Sequence, residues 1–449
     1  MVRASVDGGR EVAPAVAKLQ ALVRIPTVGD RDPALVDGAV FDAFLAELRA
    51  QFPLLHERLE RTAVGGHGLL FRWPGRTSAD PVVLVAHLDV VPVVAEDWRH
   101  PPFGGDLVDG AVWGRGTLDD KGPLVTICEA VETLLDSGVV PARDVWLSFG
   151  CDEEVAGAAA RHAVDELAGR GVRPWFVLDE GGAVAGGALP GLGVPLAVVG
   201  VTEKGVVSLL LRAEGAGGHA STPARMGPTA RIARAVTRLD RAPFPASAPA
   251  PTLELFRRIT PHAPGPVRPL LRRLTRLPRL LTRLLLAAGP EAAAMVRTTL
   301  AVTTLSGSPA LNVIAASATA GVNARVMVGD TVADVVEHVR RTIADDRVEI
   351  EVVEQHEPSP VSPWDGPFAL LESTTAEVFP DAVTTPYVMM ASADARHFTR
   401  ICDRVYRFAP LRMSRAQRAS IHAADEHVGA ADLLDGVRWY RRLLLALPD

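Results

Sequence analysis

The chain has 449 residues, too many for one simple core, so two domains are expected. It is 48% hydrophobic and 22% charged, an ordinary globular balance, and its net charge of −6 carries no nucleic-acid footprint. No apolar run suggests a membrane span, Cys128, Cys151 and Cys402 form neither a disulfide framework nor a zinc-ligand spacing, and the N-terminus lacks the apolar stretch of a signal peptide, so a cytoplasmic enzyme is expected.

In chain order, helical periodicity covers 12–23, with Val16, Leu19, Leu22 and Val23 in phase, and 39–51, with Phe41, Phe44, Leu45 and Leu48 on one face. Strand-like runs follow at 68–73 and 82–86. The second run ends in His87-Leu88-Asp89, and residues two apart in extended chain share a face. Prolines and glycines fill 87–113, and Asp119-Asp120-Lys121 opens a helix over 122–135. A buried strand at 145–149 ends in Gly150-Cys151-Asp152-Glu153-Glu154. Another at 175–178 ends in Asp179-Glu180-Gly181-Gly182. Strands alternating with helices predict an α/β catalytic domain with a central, mostly parallel sheet. Three strands then deliver His87, Glu153/Glu154 and Asp179 at their ends, where open α/β sheets bind ligands.

After Lys204-Gly205 the pattern changes to strand 206–213, helix 228–239, strands 297–305 and 316–328, helix 331–343 and strand 348–354. That order is the ferredoxin-like α+β unit. It places an inserted lid domain at 205–356, between catalytic parts 1–204 and 357–449. One segment fits poorly: 256–290 holds eight arginines, no acidic residue and many leucines. It reads either as a helical excursion packed on the inserted domain or as a basic, apolar lip for amphipathic anions or anionic lipid.

The polar residues form a donor set. His87, Asp119, Glu154, Asp179 and His422 offer two histidines and three acids, enough for two divalent ions if Asp119 bridges them. Nitrogen and carboxylate donors without cysteine favour zinc, with cobalt or manganese as substitutes. Asp89 suits a carboxylate that fixes the ring of His87. Glu153, beside Glu154, is free to act as general base. His219 follows two glycines and could stabilise an oxyanion. Arg325 and Arg396 could clamp a substrate carboxylate, with Asp394 beside Arg396 in the same late segment.

The motifs HLDVVP, WGRGTLDDKG, CDEEVAG, LDEGG, GGHAST, LNVIAA and SIHAADE occur in one order along nearly the whole chain. Together they resemble the di-zinc exopeptidase and amidohydrolase family, metallopeptidase family 20, which includes carboxypeptidase G and acetylornithine deacetylase. DWRHPPFGG, GRGTLDDKG and VTEKG are similar in wording to carboxypeptidase S and the N-fatty-acyl-amino acid hydrolases. The resemblance implies a zinc-exopeptidase-like catalytic domain. It implies one zinc on His87, Asp119 and Asp179, and a second on Asp119, Glu154 and His422. It gives Asp89 the orienting role, Glu153 the base, His219 a lid position that reaches a neighbouring subunit in dimeric members, and Asn312 and Arg325 the binding of substrate polar ends. Two departures stand out: the family's GGTDAR is Ala391-Ser392-Ala393-Asp394-Ala395-Arg396, and its NVIP is Asn312-Val313-Ile314-Ala315. The expected activity is hydrolysis of an amide next to a free carboxylate, in an N-acyl amino acid or short peptide. The alternatives are a dipeptidase or aminopeptidase and a non-catalytic metal- or ligand-binding homologue, and a homodimer through the lid is expected.

Overall fold

A computed structural model describes residues 8–155, 157–189 and 191–449. A ten-stranded mixed sheet forms the larger layer. At its centre Val82–His87 lies parallel to both Val145–Gly150 and Phe176–Asp179, and Val405–Arg407 continues the parallel run beside Phe176–Asp179. Antiparallel strands Gly68–Trp73 and Glu60–Val64 close one side. On the other, Leu196–Glu203 carries Val383–Met389 in parallel.

Alternation along the buried strands explains the layers. Val82, Leu84 and Ala86 point into one apolar core, and Val83 and Val85 into another. The first core is filled by Lys121–Asp136, Ala430–Leu445 and Gly8–Val23. The second is filled by Ala158–Gly169 and Ala395–Phe398. With both faces covered, the central strands read as apolar runs, interrupted only by the buried Ser148 in Val145–Gly150, and charged residues stand at their ends.

A second, four-stranded antiparallel sheet runs in the order Thr299–Ser306, Ser317–Val326, Gly205–Glu214, Val348–His356. Helices Pro228–Arg241 and Val332–Ile343 cover one face and share its core. Thr331 caps the second helix in a capping box with Asp334. The β-α-β-β-α-β order is the one expected from the sequence.

The excursion departs from one of its two readings. Helices Ala250–Ile259, Val267–Leu274 and Pro278–Ala287 bury Leu255, Phe256, Ile259, Leu281 and Leu285 against Leu196, Val198, Val383 and Tyr387. They therefore pack on the edge of the catalytic sheet rather than on the inserted sheet. The apolar side chains of that edge strand are the cause, because an uncovered edge with an apolar face needs a cover.

Candidate metal centre

His87 is the last residue of Val82–His87 and pairs with Gly150 on the neighbouring strand. Its ring is fixed from behind: Nδ1 lies 3.0 Å from the carbonyl oxygen of Asp89 and 3.3 Å from its Oδ1. Asp89 is fully buried, and its two carboxylate oxygens accept the backbone N–H groups of Glu153 and Glu154, each at 3.1 Å. One carboxylate thus ties the histidine strand to the acidic turn that follows Val145–Gly150.

In front, His87 Nε2 lies 2.9 Å from Asp119 Oδ1, and His422 Nε2 lies 3.0 Å from Asp119 Oδ2. His422 Nε2 is also 3.1 Å from Glu154 Oε2. Asp119 therefore sits between two imidazoles with one oxygen turned to each. Donor atoms of His87, Asp119 and Glu154 all lie within 4.8 Å of one another, as do those of His87, Glu153 and Glu180. Glu154 Oε1 is buried without a hydrogen-bond partner among the described residues. A donor left open inside such a set fits a cation, and no cysteine intrudes.

The electrostatics match that reading. Against the pull of burial, His422 and His87 hold the Asp119 carboxyl below the usual carboxylate range. The hydrogen bonds to Asp119 and Glu154 push His422 up to about 10. Burial pushes Glu153 and Glu180 well above the usual range, and neighbouring carboxylates add to the effect. Acids crowded at this density repel until positive charge is placed among them.

Asp179, expected as a ligand, lies outside the groups of metal-donor atoms found around His87 among the described residues. Asp179 spends both oxygens on the chain itself: Oδ1 accepts the N–H of Glu180 at 2.9 Å and Oδ2 that of Ala395 at 2.7 Å. The side chain that faces His87 is Glu180, whose Oε1 lies 4.0 Å from Nε2. Adjacent acids are not told apart by the sequence pattern; the longer one, just beyond the strand end, is the one that reaches forward.

Asp394 is also placed otherwise than expected. It is 1% exposed, closed in beside Gly150 and Gly157. A Cβ on Gly150 would lie 2.5 Å from one of its oxygens and a Cβ on Gly157 2.5 Å from the other, so both glycines are required by its approach. Neither oxygen has a hydrogen-bond partner among the described residues, and burial, with Asp179 adding to it, pushes the carboxyl up to about 8. Arg396 does face the site: Nη1 lies 3.8 Å from Glu153 Oε1 and donates to the carbonyl of Ala393 at 2.9 Å.

The inserted-domain candidates stand apart from the cluster. His219 is exposed on a two-stranded ribbon with Val313–Ile314, its Nδ1 2.7 Å from Ser221 Oγ. Asn312 is exposed at the end of the same ribbon, with its carbonyl accepting the N–H of Ala220. Arg325 is half-buried between Val206 and Thr299. Among the described residues, none of the three is hydrogen-bonded or ion-paired to the metal cluster.

The sequence reading missed Glu426, whose position four residues after His422 was its only signal. Its buried carboxylate accepts the N–H groups of Leu118 at 2.7 Å, Asp119 at 3.1 Å and Gly116 at 3.2 Å, and Arg115 Nη1 donates to it at 2.6 Å. The loop that carries Asp119 is thereby fastened to the segment that carries His422.

A model of the peptidase family M20/M25/M40 matches residues 83–446. The chain belongs to this family. The family's probable carboxypeptidase S-like 2 of Dictyostelium discoideum is 35% identical over 408 residues, 88% of this chain and 78% of that protein. The N-fatty-acyl-amino acid synthase/hydrolase PM20D1 of Xenopus tropicalis is 35% identical over 438 residues, 96% of this chain and 85% of that protein. Among solved structures, the M20 family metallo-carboxypeptidase Sso-CP2 of Sulfolobus solfataricus superposes with a TM-score of 0.70 at 16% identity, over 96% of this chain and 98% of that one. The M20 chain is thus an enzyme, a hydrolase of the metallopeptidase and amidohydrolase kind, with a cluster able to hold a metal ion.

Proposed function

We propose that this enzyme hydrolyses an amide bond next to a free carboxylate, in an N-acyl amino acid or a short peptide, with two divalent cations, zinc first. The observation that carries the reading is Asp119, whose two oxygens face two different histidines at 2.9 and 3.0 Å. His87, Asp119 and Glu180 would hold one ion, and Asp119, Glu154 and His422 the other. The ions supply Lewis acidity, which polarises a carbonyl and makes water a better nucleophile.

The chain's own residues do the rest. Asp89 holds the His87 ring in one orientation, so Nε2 stays aimed at the cluster. Glu153 is the one acid of the adjacent pair left for proton transfer, because Glu154 already faces His422. It takes a proton from the attacking water as the water oxygen bonds to the amide carbon. It returns that proton to the nitrogen as the carbon–nitrogen bond breaks. Arg396, whose Nη1 lies 3.8 Å from Glu153 Oε1, offers a cation that could pair with a substrate carboxylate. The names of the two relatives above, one a carboxypeptidase and one acting on N-fatty-acyl-amino acids, support a substrate with a free carboxylate.

The test compares N-acetyl- and long-chain N-acyl-amino acids with their methyl esters and with free dipeptides, each with and without a chelator. Hydrolysis of the free acids, weak turnover of the esters and loss of both on chelation is expected. Preference for free dipeptides would replace this reading with a dipeptidase, and chelator-resistant activity would remove the metals from it.

A further inference from the structure

The excursion presents a surface that the catalytic reading does not use. Its inner face is occupied by the core shared with Leu196, Val383 and Tyr387. Its outer face leaves Leu270, Leu277, Leu280 and Leu284 between 44% and 54% exposed. Arg272, Arg273, Arg276, Arg279 and Arg283 are exposed among them. Among the described residues, none of these five guanidinium groups has a hydrogen bond or ion pair, although the chain as a whole is rich in arginine–carboxylate pairs. Within Pro278–Ala287, Arg279 and Arg283 lie four apart and so do Leu280 and Leu284, giving two adjacent rows, and Arg276 and Leu277 lie in the turn just before that helix.

This segregation is strong. Residues 256–290 hold eight arginines and no acidic residue, in a chain whose net charge is −6. A solvated helix face has no need of four half-exposed leucines, and a protein docking face of one sign would need a matching acidic partner at every arginine. A sheet of phosphates above hydrocarbon satisfies both groups at once. The guanidinium groups meet the headgroups while the leucines enter the acyl boundary. No helix among the described residues is long and apolar enough to cross a membrane.

We propose that the outer face of Val267–Leu274 and Pro278–Ala287 docks on an anionic lipid surface. The inference goes beyond the hydrolytic reading and does not depend on it. The Tyr387 hydroxyl, from a side chain in the excursion's core, donates to the carbonyl of Gly181, next to Glu180, so the docked face adjoins the acidic cluster through one side chain.

The full-length protein is sedimented with vesicles of phosphatidylcholine alone and of phosphatidylcholine mixed with phosphatidylglycerol. Binding to the mixed vesicles only, weakening as salt rises, is expected. Arg276→Glu/Arg279→Glu/Arg283→Glu should weaken it by about tenfold or more, and Leu277→Ser/Leu280→Ser should weaken what survives at high salt. All these positions are exposed, so thermal melting should stay near that of the parent. Turnover of a short, soluble N-acyl-amino acid should not change in either variant, which separates a failure of docking from a failure of the hydrolytic reading. Equal binding to both vesicle types, no binding, or binding indifferent to the arginine variant would overturn the proposal. So would a dimer of the parent that Leu277→Ser/Leu280→Ser dissolves, which would assign the face to a second copy.

Discussion

At single residues, the metal cluster separates roles that the sequence leaves merged. Glu153 and Glu154 are neighbours, yet only Glu154 meets His422. Glu153→Gln should therefore lower turnover by about 100- to 10,000-fold while metal content by elemental analysis stays at that of the parent; near-normal turnover would move the base elsewhere. Asp179 and Glu180 separate in the same manner. Glu180→Ala should lose about one of two bound ions, with little change in melting temperature. Asp179→Ala should instead lower stability by about 1–3 kcal/mol, because the buried N–H of Ala395 loses its acceptor. Metal content and thermal denaturation of the two variants decide between them, and a loss of metal confined to Asp179→Ala would restore the ligand first expected.

At the level of elements, the least visible device in the sequence is Glu426. Arg115 and Glu426 are 2% and 0% exposed, and the pair spans the chain from the glycine-rich loop to the late His422 segment. Glu426→Ala would strand the Arg115 charge and three N–H groups, at a cost of about 3–5 kcal/mol. Glu426→Gln keeps an acceptor oxygen and should recover part of that stability and most of the metal affinity. Equal losses in the two variants, read by melting and by titration of the metal-free protein, would reduce Glu426 to a packing role. Elements rich in apolar residues were legible: Val82–His87, Val145–Gly150 and Lys121–Asp136 lie within a residue or two of their expected limits. Val383–Met389 was not, because Pro386 breaks its pattern; it is tolerated there on an edge strand, where one side of the ladder needs no donor. The strand-end positions of His87 and Glu153/Glu154 were legible for the same reason as their strands. Asp179 was not, because nothing in a sequence says which carboxylate turns back to bond its own backbone, and Asp394 was not, because nothing in a sequence says which carboxylate is closed in by two glycines.

Across the whole molecule, the two chain crossings between the sheets are tied together. Thr202 Oγ1 donates to the carbonyl of Ser359 at 2.6 Å, and the N–H of Glu203 donates to Ser359 Oγ at 2.9 Å. Arg407, fully buried, donates to Glu203 Oε2 at 2.8 Å and to Ser359 Oγ at 3.2 Å. The inserted sheet is therefore anchored at its root, while the ribbon that carries His219 stands exposed and unattached to the cluster. Both edge strands of that sheet expose large apolar side chains, Leu305 at 65% and Val353 at 62%. We propose that the exposed ribbon delivers His219 to the cluster of a neighbouring subunit rather than to its own. On that arrangement His219→Ala should lower turnover by about 100- to 1,000-fold, the cost of one oxyanion donor, with metal content intact. Mixing His219→Ala chains with Glu153→Gln chains should then restore activity, because one mixed site draws Glu153 and His219 from different subunits. No recovery in a sample shown by native mass spectrometry to contain mixed dimers would place His219 over its own chain's site. Normal turnover of His219→Ala alone would leave the histidine as an ordinary residue of an exposed ribbon.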